Sequence, residues 1–146
     1  MEFKLLNKAS KKHQLYLIDN ENSLKQVTEL AKNEVAFTRA AFSNNSVLVP
    51  VNQYNRTIYI YLVKSKDTDW QTSEMLRKAG AELQGALNKQ KIEEITINNL
   101  SGMPGAAYLV AEGLALATYQ FLKYKTDAKK QEYSLKTISF APKSIS

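Results

Sequence analysis

Apolar and polar positions change period along the chain, and each change marks an element. "FKLL" (Phe3 to Leu6) and "QLYLI" (Gln14 to Ile18) are short strand-like runs, and the polar "NKASKKH" between them predicts a hairpin. From Ser23 to about Phe42, Leu24, Val27, Ala31, Val35, Thr38 and Phe42 recur at threes and fours. That spacing predicts a helix, or two shorter ones broken near Lys32–Asn33. Ser23, with Gln26 three residues on, has the form of a capping box. "SVLVPV" and "TIYIYLV" then read as two β-rich runs joined by "NQYNR", a second hairpin. In the latter run Tyr59 and Tyr61 fall on one face, and Ile58, Ile60 and Leu62 on the other.

A helix is predicted from about Thr72 to Asn88, with Met75, Leu76, Ala79, Leu83, Ala86 and Leu87 as its apolar stripe. "EITINNL" is a short strand running into the loop "NNLSGMPG", and a third helix spans about Gly105 to Tyr124. After the polar "KTDAKKQE" comes a last strand, "YSLKTISF"; the tail "APKSIS" predicts no element. Strands alternating with helices imply an α/β domain, and the hairpins imply a mixed rather than a wholly parallel sheet.

The third helix is the most apolar part of the chain. "MPGAAYLVAEGLALATYQFL" is twenty residues with one charge, Glu112, long enough to span a bilayer. Glu112 would then cost about 3 kcal/mol near the bilayer centre. Pro104, Gly105, Gly113 and Gln120 weigh against a span as well. A soluble core helix, with sheet on one side and another helix on the other, has the same pattern. Gly113 and Ala117 form a small-residue strip on which a neighbour can pack, and Lys123 and Lys125 suit the helix C-terminus.

Composition narrows the class. The chain has 146 residues, 44% hydrophobic and 23% charged, which fits one globular domain with a sizeable core. It has no cysteine, and its N-terminus lacks a signal-like apolar run, so a cytoplasmic protein is expected. The net charge of +6 comes from 17 lysines and only Arg39, Arg56 and Arg77. Scattered lysines with so little arginine argue for a solvated surface over a nucleic-acid reader.

Candidate chemistry is sparse. The four aspartates, Asp19, Asp67, Asp69 and Asp127, lie in polar stretches, and Asp67, Asp69 and Glu74 lack the spacing and glycine of a calcium loop. Glu93 and Glu94 are adjacent and point to opposite faces of a strand. His13, the single histidine, reads as a surface residue beside Lys11 and Lys12. Glu112 reads as a structural carboxylate paired with a lysine or with backbone donors. The loop Ser101–Gly105, opening onto a helix N-terminus, has the form of an anion site, though proline and glycine there also simply start a helix.

"AEGLALATYQFLKYKT" (Ala111 to Thr126) resembles the segment near the end of the N-terminal domain of the leucyl (cytosol) aminopeptidases. That family shows a helix of the form E-G, then small and aliphatic residues, then Y-x-F-x-x-Y-K-[ST]. Glu112, Gly113, Tyr119, Phe121, Tyr124, Lys125 and Thr126 match in order and spacing. "LRKAGAELQGALNKQKIEEITI" (Leu76 to Ile97) is similar to the preceding helix and strand, and with "TIYIYLV" the resemblance covers about the last 90 residues.

The resemblance implies a three-layer α/β/α, macro-like domain over residues 1–140, with 141–146 starting a linker to a separate catalytic domain. In the family that domain carries an N-T-D-A-E-G-R-L-type signature, absent here, and two divalent metals, zinc or manganese, that hydrolyse an N-terminal peptide bond. No catalytic, cofactor-binding or metal-binding residue is therefore expected in this chain. The seven matched residues are expected to be structural, and the partners to be the catalytic domain of the same polypeptide and further copies in a hexamer. Two other classes remain open: a free-standing binder of ADP-ribose or a related nucleotide, and a nucleic-acid-binding module, as reported for some relatives.

Overall fold

The computed structural model describes residues 1–8, 10–64, 68–123, 134–142 and 144, with side chains in the last helix as far as Tyr119. In chain order the elements are β1 (Glu2–Leu5), β2 (Gln14–Ile18), a 3-10 helix (Glu21–Gln26), α1 (Lys32–Ser43), β3 (Leu48–Gln53), β4 (Arg56–Leu62), α2 (Asp69–Lys89), β5 (Glu94–Leu100), α3 (Ala106–Lys123) and β6 (Thr137–Phe140). The strands form one six-stranded sheet in the order β1-β6-β5-β2-β4-β3. All neighbours are parallel except β3 and β4, so the sheet is mixed.

Alternation along the central strands divides the interior into two cores. Leu15, Leu17, Tyr59, Tyr61, Ile95, Ile97, Ile138 and Phe140 face α2 and α3, meeting Leu76, Leu83, Leu87, Val110 and Leu114. Tyr16, Ile18, Ile58, Ile60 and Leu62 face the opposite way, against Leu24, Val27 and Phe42. The split of β4 into a tyrosine face and an isoleucine face is the one its sequence predicts. Helices on both sides of a mixed sheet make the three-layer α/β/α arrangement.

The second face changes character halfway across. Over β5 and β6 it is polar: Thr96 and Ser139 are fully buried there, beside Asn98 and Glu94. Here the connection from Leu6 to His13 is tied down in place of a helix. Gln14 Nε2 donates to the Ser10 and Lys12 carbonyls (2.9 and 3.0 Å), and Asn98 Nδ2 donates to Gln14 Oε1 (2.8 Å). Lys12 Nζ and Ser139 Oγ both donate to the Glu94 carboxylate (2.8 and 3.0 Å).

That connection corrects the predicted first hairpin. β1 and β2 do not pair; β6 and β5 lie between them, and β1 runs parallel to β6 at the edge. The reason is burial. "QLYLI" is buried at every position and needs the sheet centre, whereas every residue of β1 is exposed and suits an edge.

The predicted first helix is also two pieces, the 3-10 turn and α1, separated at 27–31. The capping box at Ser23 and Gln26 does not form. Asn20 caps instead, its Oδ1 accepting the Ser23 N–H (3.1 Å), and Ser23 lies buried inside the turn. At α1, Glu34 Oε1 accepts the Ala31 N–H (2.9 Å), the half of a capping box that an alanine permits. The last strand is shorter than "YSLKTISF", because Ser134 bonds to the end of α2: its N–H to Asn88 Oδ1 (3.0 Å), its Oγ to the Leu87 carbonyl (3.2 Å).

Candidate functional site

The most closely built contact is the crossing of α2 and α3, and two glycines set its distance. A Cβ placed on Gly113 would run into the Arg77 carbonyl and lie 2.9 Å from Arg77 Cα. A Cβ on Gly80 would meet the Val110 carbonyl and lie 2.8 Å from the Leu114 nitrogen. The helices therefore touch backbone to backbone, with Leu76, Ala79, Val110 and Leu114 buried around the contact. Gly113 was legible as half of a small-residue strip. Gly80 was not, because an isolated glycine within a helical pattern carries no period of its own.

Glu112 stands at the rim of this crossing. Its Oε1 lies 3.4 Å from Arg77 Nε, and both side chains keep about a third of their surface (38% and 33%). Arg77 also approaches Glu74 of its own helix at 3.7 Å. The carboxylate thus has a structural partner, an arginine where a lysine was expected, and belongs to no cluster. Tyr119 is exposed on the outer side of α3. The Phe121 side chain and Tyr124, Lys125 and Thr126 lie outside the described residues, so the structure brings together only the first part of the matched motif.

The loop between β5 and α3 is held from within. Asn99 Oδ1 accepts the Ser101 N–H and hydroxyl (3.1 and 2.6 Å), Asn99 Nδ2 donates to the Met103 carbonyl (3.0 Å), and Ser101 Oγ accepts the Met103 N–H (3.2 Å). Gly102 and Gly105 adopt positive φ (72° and 80°), which fits glycine and closes the turn. The nearest side-chain atom to a Cβ on Gly102 would be Asp19 Oδ2 at 3.9 Å, a carboxylate unsuited to greeting an anion. The loop's own polar side chains are engaged in shaping it.

At the opposite, N-terminal end of the strands lies an open basic groove of about 590 Å³ lined by Lys11, Lys12, His13, Lys91 and Lys136. Two of its lysines are already matched, Lys12 to Glu94 at 2.8 Å and Lys136 to Glu93 at 3.6 Å. Glu93 and Glu94 serve these two different cations and do not act as a pair. His13 corrects its expected solvated role. It is half-buried, its Nδ1 accepts the Thr57 N–H (3.0 Å), and burial lowers its pKa, so the neutral ring joins β2 to β4.

One half-buried polar cluster gave no sequence signal. Glu29 binds the Tyr16 hydroxyl through Oε1 (2.8 Å) and faces Arg56 through Oε2 (2.9 Å). Arg56 Nε donates to Gln53 Oε1 (2.8 Å), while Gln53 Nε2 donates to the Glu29 carbonyl and to Glu34 Oε1 (2.9 and 3.0 Å). Burial, and then Glu29, push the Tyr16 hydroxyl pKa well up, so it remains a donor. The cluster fastens the α1 layer to the β3–β4 hairpin. Its members come from separate elements, which no local spacing reveals.

None of these arrangements converges on a reacting atom. Among the described residues no group of three or more histidines, aspartates or glutamates could hold a metal ion. Among the same residues no helix is long and apolar enough to cross a membrane.

Comparison with known proteins places this architecture. The model of the cytosol aminopeptidase family, N-terminal domain, matches residues 48–128, more than half of the chain, and takes in β3 through α3. No curated protein matches the chain. Among solved structures, a tomato leucine aminopeptidase mutant superposes with a TM-score of 0.69 at 12% identity, over 100% of this chain and 33% of that one. The macro domain of ganglioside induced differentiation associated protein 2 superposes with a TM-score of 0.63, also at 12% identity, over 96% and 76%. At such identity the two likenesses show the fold, a macro-like one, and the chain spans about a third of the tomato enzyme's length. The match over residues 48–128 assigns the family: this chain belongs to the cytosol aminopeptidase family, as its N-terminal domain.

Proposed function

We propose that this chain is a non-catalytic structural and assembly module of a metal-dependent aminopeptidase. Residues 1–140 form the module, and the chain from 141 leads towards a catalytic domain of the same polypeptide. That domain removes N-terminal amino acids from peptides with two divalent metals, zinc or manganese, and the whole assembles as a hexamer in the cytoplasm. The observation that carries this reading is the family match over residues 48–128. The polar clusters described above are consistent with it, because they fasten the covering layers to the sheet.

The test is direct. The purified chain, assayed with leucine p-nitroanilide in added manganese or zinc, gives no turnover. Turnover that tracks the metal, survives repurification and disappears in Glu112→Ala would overturn the reading.

The likeness to a macro domain favours one second reading, a binder of ADP-ribose or a related nucleotide at the β5–α3 loop. Calorimetry with ADP-ribose decides it; no heat at high micromolar concentration ends it.

A further inference from the structure

We propose that β1 is a self-complementary edge through which two copies of this chain join their sheets. Among the described strands β1 and β3 are the two edges. β3 contains Pro50, which has no N–H to offer a neighbour, a common way of blunting an edge. β1 has no such block. The Glu2 and Leu6 N–H groups turn inward to the Lys136 and Phe140 carbonyls (2.8 and 2.9 Å). By strand alternation the N–H and C=O groups of Phe3 and Leu5 turn outward, unpaired by the sheet.

The side chains on this edge are sorted by face. Phe3 and Leu5, in register with Ile138 and Phe140, lie on the α2–α3 side and are 53% and 76% exposed. α3, which joins β5 to β6 on that side, leaves Tyr108 and Tyr119 exposed too. Glu2 and Lys4 lie on the other face, 4.0 Å apart.

A second copy fits this edge in one register. In an antiparallel ladder, residues that turn outward must face residues that turn outward. Two such registers overlap three residues of β1. One sets Lys4 against Lys4 of the second copy, which repels. The other sets Phe3 against Phe3, with Glu2 opposite Lys4 of the second copy and Lys4 opposite its Glu2. That register gives two ion pairs on one face, an aromatic pair on the other and twofold symmetry. The strand is short, so the dimer is weak and concentration-dependent. It depends on the edge strand alone, and its failure would leave the aminopeptidase reading untouched.

Sedimentation equilibrium of the untagged chain, from about 10 µM to 1 mM, bounds affinities of the order expected for so small an interface. E2K sets lysine against lysine, and K4E sets glutamate against glutamate, so each weakens self-association roughly tenfold. An equimolar mixture of E2K with K4E restores both ion pairs and recovers the dimer as a heterodimer, and the E2K/K4E double variant recovers it with itself. Both side chains are exposed, and unchanged urea midpoints confirm that the variants are folded. A chain monomeric at every concentration, a dimer indifferent to E2K, or single variants that fail to pair in mixture would each overturn the proposal.

Discussion

The two layers that cover the sheet are built on different principles. On one side α2 and α3 meet backbone to backbone at Gly80 and Gly113 over an apolar core, with ionic contacts only at the rim. On the other, a 3-10 turn and the short α1 cover half the face, and polar groups do the fastening: Glu29, Arg56 and Tyr16 beneath α1, and Gln14, Asn98 and Glu94 under the connection from Leu6 to His13. The first arrangement tolerates almost no change of shape, since a tight backbone contact has no flexible atom to yield. The second tolerates shape but less readily the loss of a partner, since a half-buried charge left alone is only partly solvated.

The sharpest way to break this contrast is at the crossing. Gly113→Leu should cost about 3 kcal/mol or more and can abolish cooperative unfolding, because the helices would have to separate. A urea midpoint close to that of the parent would show that the helices do not touch. On the polar side, Arg56→Leu should cost about 2 kcal/mol by leaving Glu29 without its cation, and replacing Glu29 with Gln in the same chain should return part of it. A double-mutant cycle that sums without coupling would remove the cluster as the fastener.

A third, smaller effect is confined to acid pH. His13 accepts the Thr57 N–H as a neutral ring, and its pKa is lowered by burial from the ordinary value of 6.5. The unfolded chain therefore takes up the proton first. Stability from this group is present above pH 6.5 and declines as pH falls from there towards the lowered folded value. Urea midpoints between pH 7.5 and 5 should fall less steeply in His13→Gln than in the parent; equal slopes would detach His13 from the acid response. The least effect belongs to Glu112→Ala. With a third of each side chain in water, its pair with Arg77 should be worth about 0.5 kcal/mol or less and should fade with added salt.

The same division governs what could be read from the sequence. The face split of β4 and the apolar stripe of α2 are local periods, and both stand where their residues predict. The family motif led to Glu112 and Gly113 because it, too, is local. Which strand lies beside which is not a local property, and the polar "NKASKKH" looks alike whether it turns a hairpin or crosses a sheet. Glu29 and Arg56 belong to separate elements, so their meeting is created by the fold. At Ser23 the local rule itself misled, since Asn20, three residues earlier, offered a competing acceptor and won.

The sheet order has a consequence for the time at which the protein becomes a protein. Glu2 lies beside Thr137, and Leu5 beside Phe140, so β1 waits for β6, about 130 residues later in synthesis, before it has a neighbour in the sheet. β2, at the centre, likewise waits for β4 and β5; among the described strands only β3 with β4 and β5 with β6 pair with their successors in the chain. Such long-range pairings fold slowly, and a nascent chain carries its unpartnered apolar strands in the meantime. Until Phe140 emerges, Phe3 and Leu5 have no strand to border, and their apolar side chains stay open to whatever shields the growing chain.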